Sequence, residues 1–169
     1  IVYPFLEKIG VLWLTNNISP AQEHFVSHLI RQKLIVAIDS LPLAPKTSKR
    51  VLLYLPENEL HELGLLFYHY ISKKEGFRTY YLGQSVPYND LKSVVEAHQP
   101  TIIVSSFTTV PQANSVDAYL NRLATDFSEI TLLVSGHVLK KLKNAPKSNV
   151  HLFSKALEIK DLLINKNNV

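Results

Sequence analysis

From residue 50 onward the chain alternates short apolar runs with longer segments that mix apolar and polar residues. The runs read RVLLYL, FRTYYLG, TIIVSSF, EITLLVSG and NVHLF. Between and after them stand HELGLLFYHYISKKEG, YNDLKSVVEAHQ, ANSVDAYLNRLATDF, HVLKKLKNA and KALEIKDLLINK. A continuous run rich in β-branched residues has no polar side to turn to water, so its strand must be covered on both faces. Helical segments between such strands supply the crossovers that parallel pairing requires, and those crossovers are right-handed.

The expected architecture is therefore α/β, with a flavodoxin-like (Rossmann-like) five-stranded parallel sheet, most simply in order 2-1-3-4-5. Residues 1 to 40 follow another rule. Val2, Phe5, Leu6, Ile9, Leu12 and Trp13 recur at three- and four-residue steps, the period of an amphipathic helix. A second helix starts where Ser19 can cap, Pro20 fits the first helical position and Gln22 completes a capping box, and it should run to about Asp39. LPLAPKTSKR has the composition of a linker. The expected division is a partial helical bundle over 1–40, a linker over 41–49 and the α/β domain over 50–169. The chain opens inside a helical pattern, without Met, and reads as a piece of a longer protein.

Composition removes several functions. The 169 residues include no cysteine, which excludes disulfides, thiolate metal sites and cysteine nucleophiles. The net charge of +4 comes from 18 basic and 14 acidic residues scattered along the chain, without the dense arginine run of a nucleic-acid arm. No apolar run approaches the ~18 residues of a membrane span, and a cytoplasmic location with no membrane partner is expected. Neither GxGxxG nor GxxxxGK occurs, so a phosphate-cradling loop is excluded.

In sheets of this kind ligands lie beyond the carboxyl ends of the strands, where the strand order reverses, here between strands one and three. Glu59, Leu60, His61 and Gly64 follow strand one, Ser105, Ser106 and Thr108 stand at strand three, Gly83 follows strand two, and Ser135-Gly136 follow strand four. The segment ELHELG, residues 59 to 64, allows three readings. It is a helix start with Glu59 and Glu62 at the positive end of the dipole, a general base at His61, or a metal ligand whose second ring nitrogen is held by Glu59. His24 and His28 stand one helical turn apart without a third convergent ligand. His69, His98 and His151 belong to no constellation, and Lys140, Lys141, Lys143 and Lys147 read as a solvated face.

ELHELG resembles the DxHxxG motif of cobalamin-binding domains, with Glu59 where most members have Asp. The resemblance implies that His61 replaces the cofactor's own benzimidazole as lower axial ligand to cobalt, with Glu59 as its hydrogen-bond partner. Ser105 matches the family's serine after strand three, Ser135-Gly136 stands where two glycines are usual, Phe107 where a leucine is usual, and YLGQSVP is similar to the family's strand-two exit. Gly64, Gly83, Ser105, Ser135 and Gly136 are then expected to line the cofactor, whose nucleotide tail threads between strands one and three, with His137 nearby. Trp13, nine intervening residues and then Glu23-His24 resemble the upper-face cap of the CarH/LitR group of MerR-family regulators. That resemblance implies a non-enzymatic sensor that holds adenosylcobalamin under Trp13, Glu23 and His24. It further implies a homo-oligomer, DNA bound through an upstream domain absent from this chain, and a response to light. Leu14 departs from the best-known photoreceptors, which have a histidine there that captures cobalt after photolysis. Two rivals stay open: a corrinoid-carrying subunit of a methyltransferase, and a cobalamin-free interaction module of the same fold.

Overall fold

A computed structural model describes residues 19–109 and 115–165. Helix α1 (Pro20–Asp39) precedes β1 (Arg50–Pro56), α2 (Glu62–Lys74), β2 (Arg78–Val86), α3 (Tyr88–His98), β3 (Ile102–Ser106) and α4 (Val116–Asp126). Then come β4 (Thr131–Ser135), a 3-10 turn (His137–Lys141), β5 (Val150–Leu152) and α5 (Glu158–Asn165). All strands pair in parallel in the order β2-β1-β3-β4-β5, as the sequence pattern predicts.

Burial explains the order. Val51 through Leu55 are fully buried, so β1 lies at the interior of the sheet with both faces covered. On one face Val51, Leu53, Leu55, Val104 and Leu133 pack with α2, α5 and Leu34 and Ile38 of α1. On the other, Leu52, Tyr54, Ile103, Phe107 and Val134 pack with Leu91 and Val95 of α3 and Leu120 and Leu123 of α4. The alternation of side chains along a strand assigns every residue at the strand ends to one of these two faces.

Helix α1 begins at a capping box: the Ser19 hydroxyl accepts the Gln22 N–H, and the Gln22 side chain accepts the Ser19 N–H. Arg31 pairs with Glu62, the first residue of α2, at 2.6 Å, while the Lys73 ammonium near the end of α2 donates to the Ile38 carbonyl at 2.8 Å. The two helices therefore run side by side in the same direction. Glu23 precedes Arg31 by eight residues, so at 1.5 Å per residue the start of α1 projects about 12 Å past the level where α2 begins. That is the edge of the sheet from which β1 leads into α2.

Two elements differ from the sequence expectation. The HVLKKLKNA segment makes only the 3-10 turn, because the N–H groups of Lys143 and Asn144 turn to the Asp117 carboxylate on α4 rather than to helical carbonyls. Gly83 does not follow β2 but lies inside it. Leu53 pairs with Tyr81 and Tyr54 with Gly83, so one residue is bulged out, and the strand continues to Val86 through positive φ at Gly83 (78°) and Ser85 (51°). Gly136 ends β4 with φ 120°, and a Cβ there would run into the Phe107 backbone, 2.6 Å from its nitrogen. Gly136→Ala is expected to cost about 3 kcal/mol or more, since both the conformation and the space oppose it. A shift in the urea unfolding midpoint worth under about 1 kcal/mol would contradict this packing.

Candidate functional site

Five residues, Glu57 to His61, connect β1 to α2. Glu59 is the fixed point among them. Its carboxylate is 2% exposed and accepts six hydrogen bonds. Thr108 donates to Oε2 from its N–H (2.7 Å) and hydroxyl (2.6 Å), and Thr109 does the same (2.7 and 3.0 Å). Oε1 accepts the His61 N–H at 3.1 Å and lies 2.6 Å from His61 Nδ1. Burial by itself raises the Glu59 pKa. The Thr108 hydroxyl, the His61 ring and the Thr109 and His61 N–H groups overcome it and bring the carboxyl down to about 2.

An ionised carboxylate only accepts, so the proton between Glu59 and His61 belongs to Nδ1, and in the neutral imidazole the lone pair then sits on Nε2. The ring is 66% exposed at the sheet edge, and the Thr108 hydroxyl oxygen lies 2.7 Å from Nδ1 on the inner side. The loop is braced from β2: the Asn58 N–H donates to the Ser85 hydroxyl (3.1 Å), the Ser85 N–H to the Glu59 carbonyl (3.2 Å), and the Gln84 side chain to the Leu60 carbonyl (2.6 Å). Asn58 and Ser85 both hold positive φ, a conformation kept where surrounding contacts enforce it.

This geometry bears on the readings of ELHELG. His61 occupies the N-cap position of α2 but makes no capping hydrogen bond. Glu59 divides its oxygens between His61 and the β3 exit and accepts no N–H from within the helix. The arrangement is that of an oriented imidazole offering one nitrogen outward, which suits a single metal ligand or a general base. Among the described residues no three His, Asp or Glu side chains converge on a common point. A bare ion would find one protein donor here, whereas a metal already held by a macrocycle needs only one. The site residues fit such a group.

Glu62 has a role the sequence reading did not assign. It pairs with Arg31 of α1 and accepts the Tyr81 hydroxyl at 2.8 Å, and burial together with Glu62 pushes the Tyr81 pKa well up. His69, read as belonging to no constellation, stacks on Tyr81 at 4.8 Å and meets the Thr79 hydroxyl at 2.9 Å. Burial, helped by Lys73, lowers its pKa to about 4, so it is a neutral packing residue at ordinary pH.

The other candidates divide by face. Gly64 lies in the first turn of α2, where a Cβ would meet nothing within 4 Å. Gly83 faces Glu62 and Tyr81 at 3.5 Å. Ser105 is buried and donates to the Tyr54 carbonyl at 2.9 Å, on the face of Ile103 and Phe107 that points away from α2. Its neighbour Ser106 takes the α2 face and pairs across the sheet with Ser135, whose hydroxyl meets that of Tyr68 at 3.0 Å. Gly136 lies against Phe107, and the exposed His137 begins the 3-10 turn. Glu23 and His24 sit in the projecting start of α1, with 3.5 Å between Oε2 and Nδ1, and they do not touch His61. Trp13 and Leu14 lie outside the described residues. Sequence reasoning missed the role of Thr108 and missed Thr109 altogether. The signal was present as two adjacent threonines directly after the SSF that ends strand three.

No family model matches the chain. Its fold is that of corrinoid-protein domains. It resembles the monomethylamine corrinoid protein of Methanosarcina barkeri with a TM-score of 0.70 at 13% identity, over 95% of this chain and 77% of that one. It resembles the methanol:cobalamin methyltransferase complex MtaBC of the same organism at 0.58 and 14% identity, over 94% and 62%. A cobalamin-binding protein of Desulfitobacterium hafniense gives 0.54 and 16%, over 96% and 77%. By sequence the chain is a relative of the CarH-type repressors. It is 33% identical over 123 residues to the HTH-type transcriptional repressor CarH of Myxococcus xanthus and 35% identical over 104 residues to CarA of that organism. Those matches take 73% and 62% of this chain but span only 40% and 34% of the two repressors. Among the described residues no helix is long and apolar enough to cross a membrane.

The depressed Glu59 pKa makes an acid-stability prediction. A carboxyl at about 2 when folded and 4.5 when unfolded contributes about 3 kcal/mol that is fully present above pH 4.5 and lost as pH falls through 2. Glu59→Gln should be less stable than the parent at pH 7 and should lose most of the acid slope. Urea midpoints that fall in parallel for the two proteins between about pH 5 and pH 2 would show that Glu59 is not so held.

Proposed function

We propose that this chain is the cobalamin-binding sensory region of a MerR-type transcriptional regulator and that it takes adenosylcobalamin base-off, with His61 as lower ligand to cobalt. The observation that carries this reading is the Glu59–His61 pair, which fixes the proton on Nδ1 and leaves Nε2 for a metal at the carboxyl edge of the sheet. The likeness to corrinoid-protein folds and the identity with two HTH-type repressors support it. When bound, the cofactor supplies a cobalt centre carrying an adenosyl group on a bond that light can break. The protein's part is to orient. Thr108 and Thr109 fix Glu59, Glu59 fixes the imidazole, and Gly64, Gly83 and Gly136, with the small Ser135, would line the ring and its tail.

On this reading Glu23 and His24, on the projecting start of α1, would cap the adenosyl group together with Trp13. Signalling follows from differential affinity. A cofactor that favours the assembled homo-oligomer shifts the population toward it, and loss of the adenosyl group removes that preference, which an upstream DNA-binding domain reads. Leu14 stands in the sequence where the best-known photoreceptors have the histidine that captures cobalt, so a bis-histidine product would not be expected of this chain. A second reading, a corrinoid-carrying methyltransferase subunit, is favoured by the 0.70 TM-score; an upper face left open to a methyl donor would mark it.

Protein mixed in darkness with adenosylcobalamin and desalted is expected to keep the cofactor with a histidine-ligated absorption spectrum. His61→Ala should lose that spectrum, and Glu59→Gln should bind about 10- to 100-fold more weakly. Parent protein that retains no corrinoid on desalting would overturn the reading. Illumination followed by size exclusion separates the two classes, since a change of assembly on light is expected of the regulator and not of the methyl carrier.

A further inference from the structure

The region beneath His61 contains a tyrosine that the cofactor reading does not use. Tyr68 is buried, its ring packs edge-on against Phe153 with centroids 5.2 Å apart, and its hydroxyl lies 3.0 Å from that of Ser135. Gly64, Tyr68 and Ser72 are spaced four apart on α2 and so share one face, of which Tyr68 and Ser72 are buried. The top of this row is open at Gly64, where a side chain would meet nothing within 4 Å. One turn lower, about 5–6 Å away, the Tyr68–Ser135 pair closes it. The opposite face of the sheet offers no comparable row: Tyr54, Phe107 and Tyr119 fill it, with the Tyr54 and Tyr119 hydroxyls 3.2 Å apart.

A corrinoid whose cobalt is held from below by His61 has had its own base displaced, and that base remains tethered to the lower side of the ring. It must enter the protein beside His61. The small residues Gly64, Ser106 and Ser135 place the entrance on the α2 face, and the phenol of Tyr68 stands at its lower end. A benzimidazole nucleotide following this row down from Gly64 meets the Tyr68 ring and its hydrogen bond to Ser135. Entry requires the ring to turn away and the bond to Ser135 to break, whereas a corrinoid without the nucleotide enters with Tyr68 in place.

We infer that Tyr68 is a specificity-determining residue of this site and that it selects corrinoids with a small or missing lower base over those carrying the full benzimidazole nucleotide. The inference rests on the reading of His61 as cobalt ligand. Its test is a dark titration of the full chain with adenosylcobalamin and with adenosylcobinamide, the nucleotide-free corrinoid, followed by absorption. The parent protein should bind adenosylcobinamide at least about 10-fold more tightly, a difference of roughly 1.4 kcal/mol. Tyr68→Leu, which keeps a buried hydrocarbon, and Tyr68→Ala should narrow that ratio by improving adenosylcobalamin binding. Tyr68→Phe, which keeps the ring and loses only the hydroxyl bond, should keep most of it. Far-UV circular dichroism of each variant identifies any that has lost its fold, and the ratio is read on those that keep it, Tyr68→Phe serving with the parent if neither smaller variant does. If both corrinoids bind through His61 with equal affinity in the parent, the role of Tyr68 falls and the cofactor reading stands. If the parent prefers adenosylcobinamide and folded Tyr68→Leu leaves the ratio unchanged, the selection lies elsewhere and the inference is overturned. If neither corrinoid binds, both fall together.

Discussion

The carboxylate of Glu59 joins two strand exits that the chain separates by about fifty residues. One oxygen takes the loop after β1, through His61, and the other takes the loop after β3, through Thr108 and Thr109. Four N–H or hydroxyl donors on a single buried oxygen make the charged form of the carboxyl the stable one despite burial. Without that charge, neither the direction of the imidazole nor its protonated nitrogen is specified.

A further charged contact sets where the helical part lies. Glu62, adjacent to His61 in sequence, holds Arg31 of α1 and the hydroxyl of Tyr81 on β2. The loop bearing His61 is thus flanked by one carboxylate that ties it to β3 and another that ties it to α1 and β2. Leu34 and Ile38 seal the lower half of α1 into the core shared by β1, α2 and α5, so its upper half projects as a continuation of a rigid helix. Any ligand resting on His61 is on the same side as that projection.

The two faces of the sheet are built differently at this edge. Large aromatic side chains close the α3 and α4 face, while the α2 face carries glycine and hydroxyl residues above Tyr68. This asymmetry leaves the smaller side chains on the α2 side of β1. It arises from single-residue alternation along β3, where Ser105 and Ser106 point to opposite faces and only Ser106 faces α2.

The sequence by itself determined the sheet, because five short apolar runs separated by helical segments leave a parallel sheet with doubly covered central strands as the economical way to bury them. It also determined the start of α1, since capping chemistry is local and Ser19, Pro20 and Gln22 suffice to specify it. The prominence of His61 was legible from its place after strand one, and the pairing with Glu59 followed from two-residue spacing. What the sequence could not supply was contact between distant segments. Thr108 and Thr109 on Glu59, Arg31 and Tyr81 on Glu62, and Tyr68 on Ser135 each join residues brought together by the sheet order, and no local period encodes them. The shortening of the HVLKKLKNA segment to one 3-10 turn has the same origin, because Asp117 of α4 competes for its N–H groups. Local propensity and burial pattern act over a few neighbours and are read from the chain; register, face and long-range hydrogen bonds exist only once the strands are in place.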